Sequence, residues 1–199
     1  MTISNGYCTL ADIKEHLGIG AEDQSLDALL ERAVEAASRS IDRFCNRRFT
    51  LDTAATTKLY RPTNAALCLV DDIGDSASVI VKSDDTNDGT YATTWTLSTQ
   101  YILEPTNFTD RPITMVTAVG RYFSDSPWNR PTVQVTAKWG WPSVPTDIEA
   151  ACIILAARIY RRKDSPEGIL GFGDLGVVRV SPGDRDVTAL IAPYKRRRV

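Results

Sequence analysis

The apolar residues of this chain follow a helical spacing at both ends and a β-like spacing in the middle, and this change constrains the fold most. Between residues 26 and 45 the apolar positions keep helical spacing for about five turns, which predicts one long amphipathic helix. Residues 51–141 consist instead of short runs of β-forming residues separated by Gly, Pro, Asn and Asp. The sequence therefore predicts an α+β protein: a small helical bundle of residues 1–50 and 142–199 with an inserted antiparallel β domain of residues 51–141.

Capping residues indicate where the two N-terminal helices begin and end. Thr9 is placed to cap the first helix, Asp12 follows near the positive end of the helix dipole, and Gly18 ends the helix. After a polar turn, Ser25 is placed to cap the second helix, which we expect to reach about Asn46.

The β-rich segment alternates strand candidates with polar turns, which predicts a small antiparallel sandwich or barrel. The carboxylate pairs Asp71-Asp72 and Asp84-Asp85 are expected in solvated turns. Residues 84–89 have the composition of an exposed hairpin loop, so the fold is expected to tolerate their deletion. The candidate strands are residues 57–60, 66–70, 78–82, 94–97, 101–103, 113–119 and 132–138.

The C-terminal segment begins with a predicted capping box, Thr146 to Glu149, which opens a third helix reaching about Lys163. Between Ala150 and Ala157 this helix is apolar on nearly every face. We therefore expect one face to pack on the second helix and another to contact a neighbouring copy. A glycine-rich loop and a short helix over residues 186–191 follow. Residues 194–199 are expected to leave the body as an extended segment.

Charge and composition argue against several functional classes. The net charge is −2, and the basic run Lys195 to Arg198 suits a partner protein with acidic pockets better than it suits wrapped DNA. No apolar run is long enough to span a membrane and the N-terminus lacks a signal peptide, so we expect no membrane contact and a soluble protein that is cytoplasmic when made. The four cysteines show no C-x-x-C pairing and are expected as reduced thiols.

No motif predicts catalysis, a metal or a cofactor. Gly171 to Gly176 fits G-x-G-x-x-G, but this run follows a helix and precedes a β-like run, the reverse of a dinucleotide site. A nucleotide-dependent enzyme is therefore a remote alternative. His16 is the single histidine, which removes most catalytic triads and zinc sites. The aromatic residues of the β segment are expected in its core, and a stacking platform for a sugar or a nucleobase is the alternative.

A family resemblance is carried by segments near both ends of the chain, namely Tyr7–Lys14, Ser40–Phe49, Pro145–Ala151, Ser165–Val177, Asp186-Val187 and Ala192–Tyr194. In their order and spacing these segments resemble the head-tail connector (portal adaptor) proteins of tailed bacteriophages. Residues 51–141 depart from the compact helical bundle that is the minimal pattern of that family, and they correspond to an insertion between the second and third helices.

The resemblance implies a non-enzymatic virion protein at the head-tail interface that forms a dodecameric ring beneath the portal and passes double-stranded DNA to the tail. The implied partners are the portal protein, a tail-side neck or tail completion protein, and further copies of this chain. An alternative is another virion or tail protein whose β region binds a ligand or a host glycan. The residues implied are the portal-docking tail (Pro193, Tyr194, Lys195, Arg196, Arg197, Arg198), a loop facing other subunits or the channel (Gly168, Gly171, Phe172, Gly173, Gly176), and an inter-subunit helix (Ile153, Ile154, Ala157, Arg161).

Overall fold

The computed structural model describes residues 3–107, 110–124, 130–162, 169–170, 178–179 and 185–196. The chain divides into two compact units. One consists of Met1–Arg48 together with Val144–Val199, and the other of Phe49–Ser143. The helical unit is therefore built from both ends of the chain, and the β unit from the segment between them.

Within the described residues, the helical unit contains four α-helices that pack against one another and bury apolar side chains. Helix α3 packs against the other three helices and contacts α2 most extensively. No helix in the described ranges has both the length and the hydrophobicity that crossing a membrane requires. The helices are α1 (Leu10–Leu17), α2 (Asp27–Cys45), α3 (Thr146–Arg161) and α4 (Arg185–Ile191), followed by a 3-10 helix (Ala192–Tyr194).

Helix α1 begins and ends as its sequence predicts. The Thr9 hydroxyl accepts the Asp12 backbone N–H at 3.2 Å, and the Asp12 carboxylate accepts the Thr9 backbone N–H at 2.7 Å. This reciprocal pair satisfies amides that have no partner within the helix. Gly18 ends the helix with φ of 69°, a left-handed conformation in which a residue with a Cβ is strained.

The predicted caps of α2 and α3 are wrong. Ser25 bonds through its hydroxyl to the Asp23 carboxylate at 2.6 Å, so it caps nothing, and α2 begins at Asp27 without a side-chain cap. Helix α3 has Pro145 at its N-cap position, which places Thr146 inside the first turn. A capping box needs the threonine at the N-cap position, and Thr146 is instead the first residue of the helix, so the predicted box with Glu149 does not form.

The β unit is one open antiparallel sheet of six strands. Its order is β1-β6-β2-β5-β4, with β3 paired to β2, so the predicted antiparallel β region is present as an open sheet that does not close into a barrel. The strands are β1 (Thr56–Tyr60), β2 (Leu67–Ser83), β3 (Thr93–Thr94), β4 (Tyr101–Glu104), β5 (Ile113–Ala118) and β6 (Val133–Trp139).

Strand β2 joins two candidate strands, 66–70 and 78–82, into one strand of 17 residues. Its first part pairs with β5, from Leu67 to Ile73, and its second part pairs with β6, from Ile73 to Ser83. Register shifts interrupt both ladders, which lets a single strand bend and change neighbours. Gly74 lies at this bend, where a Cβ would come within 2.9 Å of the Trp141 carbonyl carbon.

Both carboxylates at Asp71-Asp72 lie within β2, so the prediction of a solvated turn is wrong for this pair. Asp71 pairs with Lys58 at 2.8 Å and accepts a hydrogen bond from the Tyr60 hydroxyl at 3.1 Å. Asp72 is buried and accepts the Trp141 indole N–H at 3.3 Å. Polar partners supplied by neighbouring segments allow acidic residues to occupy a central strand.

The inward residues from both parts of β2 join one apolar cluster, so the sheet curls around a single core. Trp139 lies fully buried in this cluster, where its indole N–H donates to the Thr56 carbonyl at 2.9 Å. The cluster comprises Cys68, Val70, Ile73, Val81, Trp95, Tyr101, Leu103, Val116, Phe123, Val133, Val135, Ala137 and Trp139.

The loop that follows β2 is organised around a buried carboxylate. Asp84 is 1% exposed and accepts the backbone N–H groups of Asp88 at 3.2 Å and Gly89 at 2.8 Å. Its own N–H donates to the Thr132 carbonyl at 2.9 Å. Asp85 in turn pairs with Arg121 at 3.2 Å. The expectation that Asp84 lies in a solvated turn is therefore wrong, and the tolerance of a deletion of residues 84–89 stays a prediction.

Candidate assembly surfaces

Residues 194–196, which form the root of the predicted docking tail, are held against the helical unit. The Tyr194 hydroxyl donates to the Asp147 carboxylate at 3.1 Å, near the start of α3. The Arg196 backbone N–H donates to the Cys45 carbonyl at 2.8 Å, and the Asn46 side-chain amide donates to the Arg196 carbonyl at 3.4 Å. The two bonds to Arg196 connect residues that are separated by most of the chain, and the Tyr194–Asp147 bond connects residues 47 positions apart.

The prediction that the tail leaves the body at Tyr194 is therefore wrong for residues 194–196. Carbonyls in the last turn of α2 have no partner within the helix, and the tail backbone supplies one to Cys45. Pro193 lies within the 3-10 helix Ala192–Tyr194, because its fixed φ is compatible with the first positions of a helix. Arg197 and Arg198 lie outside the described residues.

Helix α3 presents a partly exposed apolar edge. Ile153 and Ile154 are half-buried, and Arg161 is exposed at the end of the helix. Ala157 is only 4% exposed, so its methyl group packs within its own unit. Of the four residues predicted on the inter-subunit helix, three have side-chain surface that a neighbouring copy could cover.

The glycine-rich loop is bounded by a short antiparallel pair of strands, β7 (Ile169–Leu170) and β8 (Val178–Arg179). A dinucleotide site would require a helix directly after the glycines, and the described backbone there is β8. The predicted loop residues Gly168, Gly171, Phe172, Gly173 and Gly176 lie outside the described residues.

The titratable side chains in the described ranges form no group of three or more potential metal ligands. All four cysteines are buried free thiols. Burial raises the pKa of the Cys68 thiol to about 12 and that of Cys45 to about 11, values at which the nucleophilic thiolate is scarce at neutral pH. The Cys8 thiol donates to Cys152 Sγ at 3.5 Å, and this hydrogen bond and burial both raise the pKa of Cys8.

The described tryptophans of the β unit are buried, whereas Tyr122 is 74% exposed. Trp95, Trp139 and Trp141 are each 4% exposed or less, and Trp95 stacks on Phe123 with ring centroids 4.6 Å apart. The fourth tryptophan, Trp128, lies outside the described residues. The three buried indoles offer no face for stacking a sugar or a nucleobase.

Comparison with known families and structures shows what this chain is similar to. Residues 7–74 match the family model described as phage gp6-like head-tail connector protein. This match confirms the resemblance predicted from the sequence over a segment that includes α1, α2 and the first half of β2. Comparison with proteins of curated function finds no match.

Solved structures similar to this chain come from gene transfer agent particles. The chain resembles a chain in the neck of an empty particle computed with C6 symmetry (18% identity, TM-score 0.58) and one in the neck of a native particle computed with C12 symmetry (18%, 0.56). It also resembles a chain in the virion of a native particle (20%, 0.55). Each alignment covers 100% of this chain and 94% of the other. The likeness therefore includes both the helical unit and the β unit.

Proposed function

We propose that this protein is a non-enzymatic structural component of the neck of a phage-like particle, where its copies form a ring between the portal and the tail. The observation that carries the proposal is the agreement of two comparisons. A connector family match covers residues 7–74, and matches to chains of neck and virion structures cover the whole chain. The fold of the β segment supports the same reading because the neck structures share it.

The helical unit offers a surface on which a ring can be built. The half-buried Ile153 and Ile154 on α3 would be covered by the adjacent copy, since a heterologous contact repeated by rotation closes a ring. One matched neck was computed with C12 symmetry, which supports a dodecamer. We expect the isolated protein to be a monomer or a reversible small oligomer, because association costs translational, rotational and side-chain entropy that a portal template reduces.

The charge of the chain is compatible with a channel that DNA traverses. A net charge of −2 does not favour a strongly basic lining, and strong phosphate contacts would slow the passage of DNA. Contact with the passing duplex would therefore be transient. The portal on one side, and a tail-side neck or tail completion protein on the other, complete the proposed set of partners.

The proposed function is tested by adding the purified protein to DNA-filled, portal-containing heads that were assembled without it. We expect the protein to co-sediment with these heads, to convert them to tail-binding particles, and to appear as a ring below the portal in electron micrographs. Protein that stays in the supernatant while tails attach without it would refute the proposal.

Two truncations test the tail in the same assay. Ending the chain after Arg196 removes Arg197, Arg198 and Val199 but keeps the root bonds to Cys45 and Asp147. Ending it after Ala192 removes those bonds as well. If the tail docks on the portal, both truncations lower head binding, and only the second also lowers the free energy of unfolding, by about 1–2 kcal/mol. Full binding by both would show that another surface is the anchor.

Ligand or glycan binding by the β unit is the weaker alternative. Its support would be aromatic side chains exposed on one face of the sheet, and Trp95, Trp139 and Trp141 are buried. A glycan array that showed specific binding by the purified protein would favour this alternative.

A further inference from the structure

Two of the four cysteines have their sulfur atoms in contact, although they come from distant parts of the chain. Cys8 precedes α1, and Cys152 lies within α3, 144 positions further along the chain. The Cys8 thiol donates to Cys152 Sγ at 3.5 Å. Cys8 is 5% exposed and Cys152 is fully buried, so the two thiols face each other inside the helical unit.

A buried serine on α2 positions both members of this pair. The Ser38 hydroxyl donates to the Val34 carbonyl at 2.8 Å. It also accepts the Tyr7 backbone N–H at 3.1 Å, which anchors the residue directly before Cys8. Ser38 Oγ lies 3.4 Å from Cys152 Sγ, and the Cys152 thiol is the donor in this contact because the hydroxyl proton is already used. Ser38 therefore holds the Cys152 thiol and the segment that carries Cys8 at one place.

Each of the other two cysteines contacts a backbone carbonyl instead of a second sulfur. The Cys45 thiol donates to the Ile191 carbonyl at 3.6 Å, and the Cys68 thiol donates to the Leu69 carbonyl at 4.0 Å. Buried thiols of this kind behave as small apolar side chains and react little. The same chain therefore contains two ordinary buried cysteines with which the pair can be compared.

We propose that Cys8 and Cys152 form a modification site, at which hydrogen peroxide oxidises the two thiols to an intramolecular disulfide. A disulfide bond is about 2.05 Å long, so the two sulfur atoms, now 3.5 Å apart, must approach by about 1.5 Å. Oxidation therefore requires a local adjustment of the two side chains and of the segment before α1. Hydrogen peroxide suits a buried pair because it is small and uncharged.

The reaction consumes one hydrogen peroxide for each pair of thiols. The Cys8 sulfur, the member of the pair with exposed surface, attacks one peroxide oxygen; the O–O bond breaks, and hydroxide takes the thiol proton and leaves as water. The Cys152 sulfur then attacks the sulfenic acid on Cys8. An S–S bond forms, the S–O bond breaks, and the hydroxyl group leaves with the Cys152 proton as a second water. The two sulfur atoms together lose two electrons, which reduce the peroxide.

The disulfide would join the segment before α1 to α3 and close a loop that contains most of the chain. Cross-links that close long loops lower the entropy of the unfolded chain most. Thiols are kept reduced in the cytoplasm and are oxidised outside it, so the bond would form after the protein leaves the cell. That last step rests on the proposed function, in which a released particle carries the protein. The chemistry of the pair does not depend on it.

Thermal unfolding compares the pair with a single buried cysteine. Peroxide should raise the melting temperature of the wild-type protein by about 10 °C, and dithiothreitol should reverse the rise. Peroxide should leave the melting temperature of Cys152→Ala unchanged, because Cys8 then has no partner sulfur, whereas Cys68→Ala should respond like the wild type. Equal responses of the two variants would show that the pair is not the site.

Peptide mapping of the purified full-length protein is the decisive test, because it needs no variant and no particle. The reduced protein is treated with hydrogen peroxide, its remaining thiols are blocked, and trypsin then releases Cys8 in residues 1–14 and Cys152 in residues 139–158. We expect these two peptides to be linked within a monomer, with Cys45 and Cys68 still reduced. Four free thiols, sulfinic acids without a link, or a link that joins two copies or involves Cys45 or Cys68 would overturn the proposal. Protein that forms the expected link but fails to bind heads would refute the neck proposal alone.

Discussion

Replacing Asp84 tests whether a single buried carboxylate holds the loop after β2. Asp84 is 1% exposed, and its carboxylate accepts the N–H groups of Asp88 and Gly89. In Asp84→Ala both amides lose a charged acceptor inside a partly buried loop. A hydrogen bond to a charged group contributes about 1.5–3 kcal/mol, and some of that loss is recovered by water. We therefore expect the β unit to lose about 2–4 kcal/mol of unfolding free energy.

The matched variants separate this effect from a general change in the loop. Asp84→Asn keeps one oxygen acceptor but turns an NH₂ group toward one of the two amides, so its stability should lie between those of wild type and Asp84→Ala. Asp88 is exposed, and its carboxylate accepts the backbone N–H of Thr90, two residues further along the chain, at 2.7 Å. Asp88→Ala should therefore lower stability much less than Asp84→Ala.

Urea unfolding followed by tryptophan fluorescence measures these differences. Trp95 is a suitable reporter because its indole N–H donates to the Ser83 hydroxyl at 2.7 Å, one residue before Asp84. For a unit of about a hundred residues, the expected loss lowers the melting temperature by about 10 °C or more. If Asp84→Ala and Asp88→Ala unfold at the same urea concentration, the buried carboxylate does not organise the loop.

Three further predictions concern packing within each of the two units. Asp27→Ala should cost about 2–3 kcal/mol in urea unfolding because it leaves the buried Lys14 ammonium, paired at 2.5 Å, without its carboxylate; Lys14→Met should cost less. Trp139→Leu should cost about 3 kcal/mol by the same assay, since it creates a cavity and removes an indole hydrogen bond. Burial raises the folded-state pKa of Cys45 and Cys68 above the ordinary 9.0, to about 11 and about 12, so the unfolded chain releases these protons first. Stability should therefore fall as pH rises above 9.0 toward 12, and urea midpoints that stay constant over this range would contradict it.

The elements that the sequence predicts well depend on local interactions. Helix α2 needs only its repeating apolar face, and α1 needs only Thr9, Asp12 and Gly18, all within ten residues of one another. These helices can be predicted from the sequence because both partners of each capping contact, and the residues of one helix face, lie close together along the chain. The same reasoning located the β segment from its alternating residues and turn residues.

Strand β2 shows where local reasoning failed within the β segment. Asp71, Asp72 and Gly74 have the composition of a turn, and nothing nearby in the sequence indicates that a strand continues through them. Their partners Lys58 and Trp141 come from segments well before and well after the strand. A carboxylate is compatible with a central strand only when such distant groups satisfy it, and single-sequence patterns carry no information about that pairing.

The docking of residues 194–196 on the helical unit was not predicted for a related reason. A run of basic residues after Pro193 resembles a solvated extension because its stabilising partners, the Cys45 carbonyl and the Asn46 amide, belong to a helix near the other end of the chain. The signal that could have been used is the end of α2 itself, where a helix leaves carbonyls that some other group must satisfy. The bonds to Cys45 and Asn46 therefore join the two ends of the chain at one place. Because a partner that binds this region contacts residues from both ends of the chain, its binding should stabilise the helical unit as a whole, and ligand-dependent protection from unfolding should extend to α2.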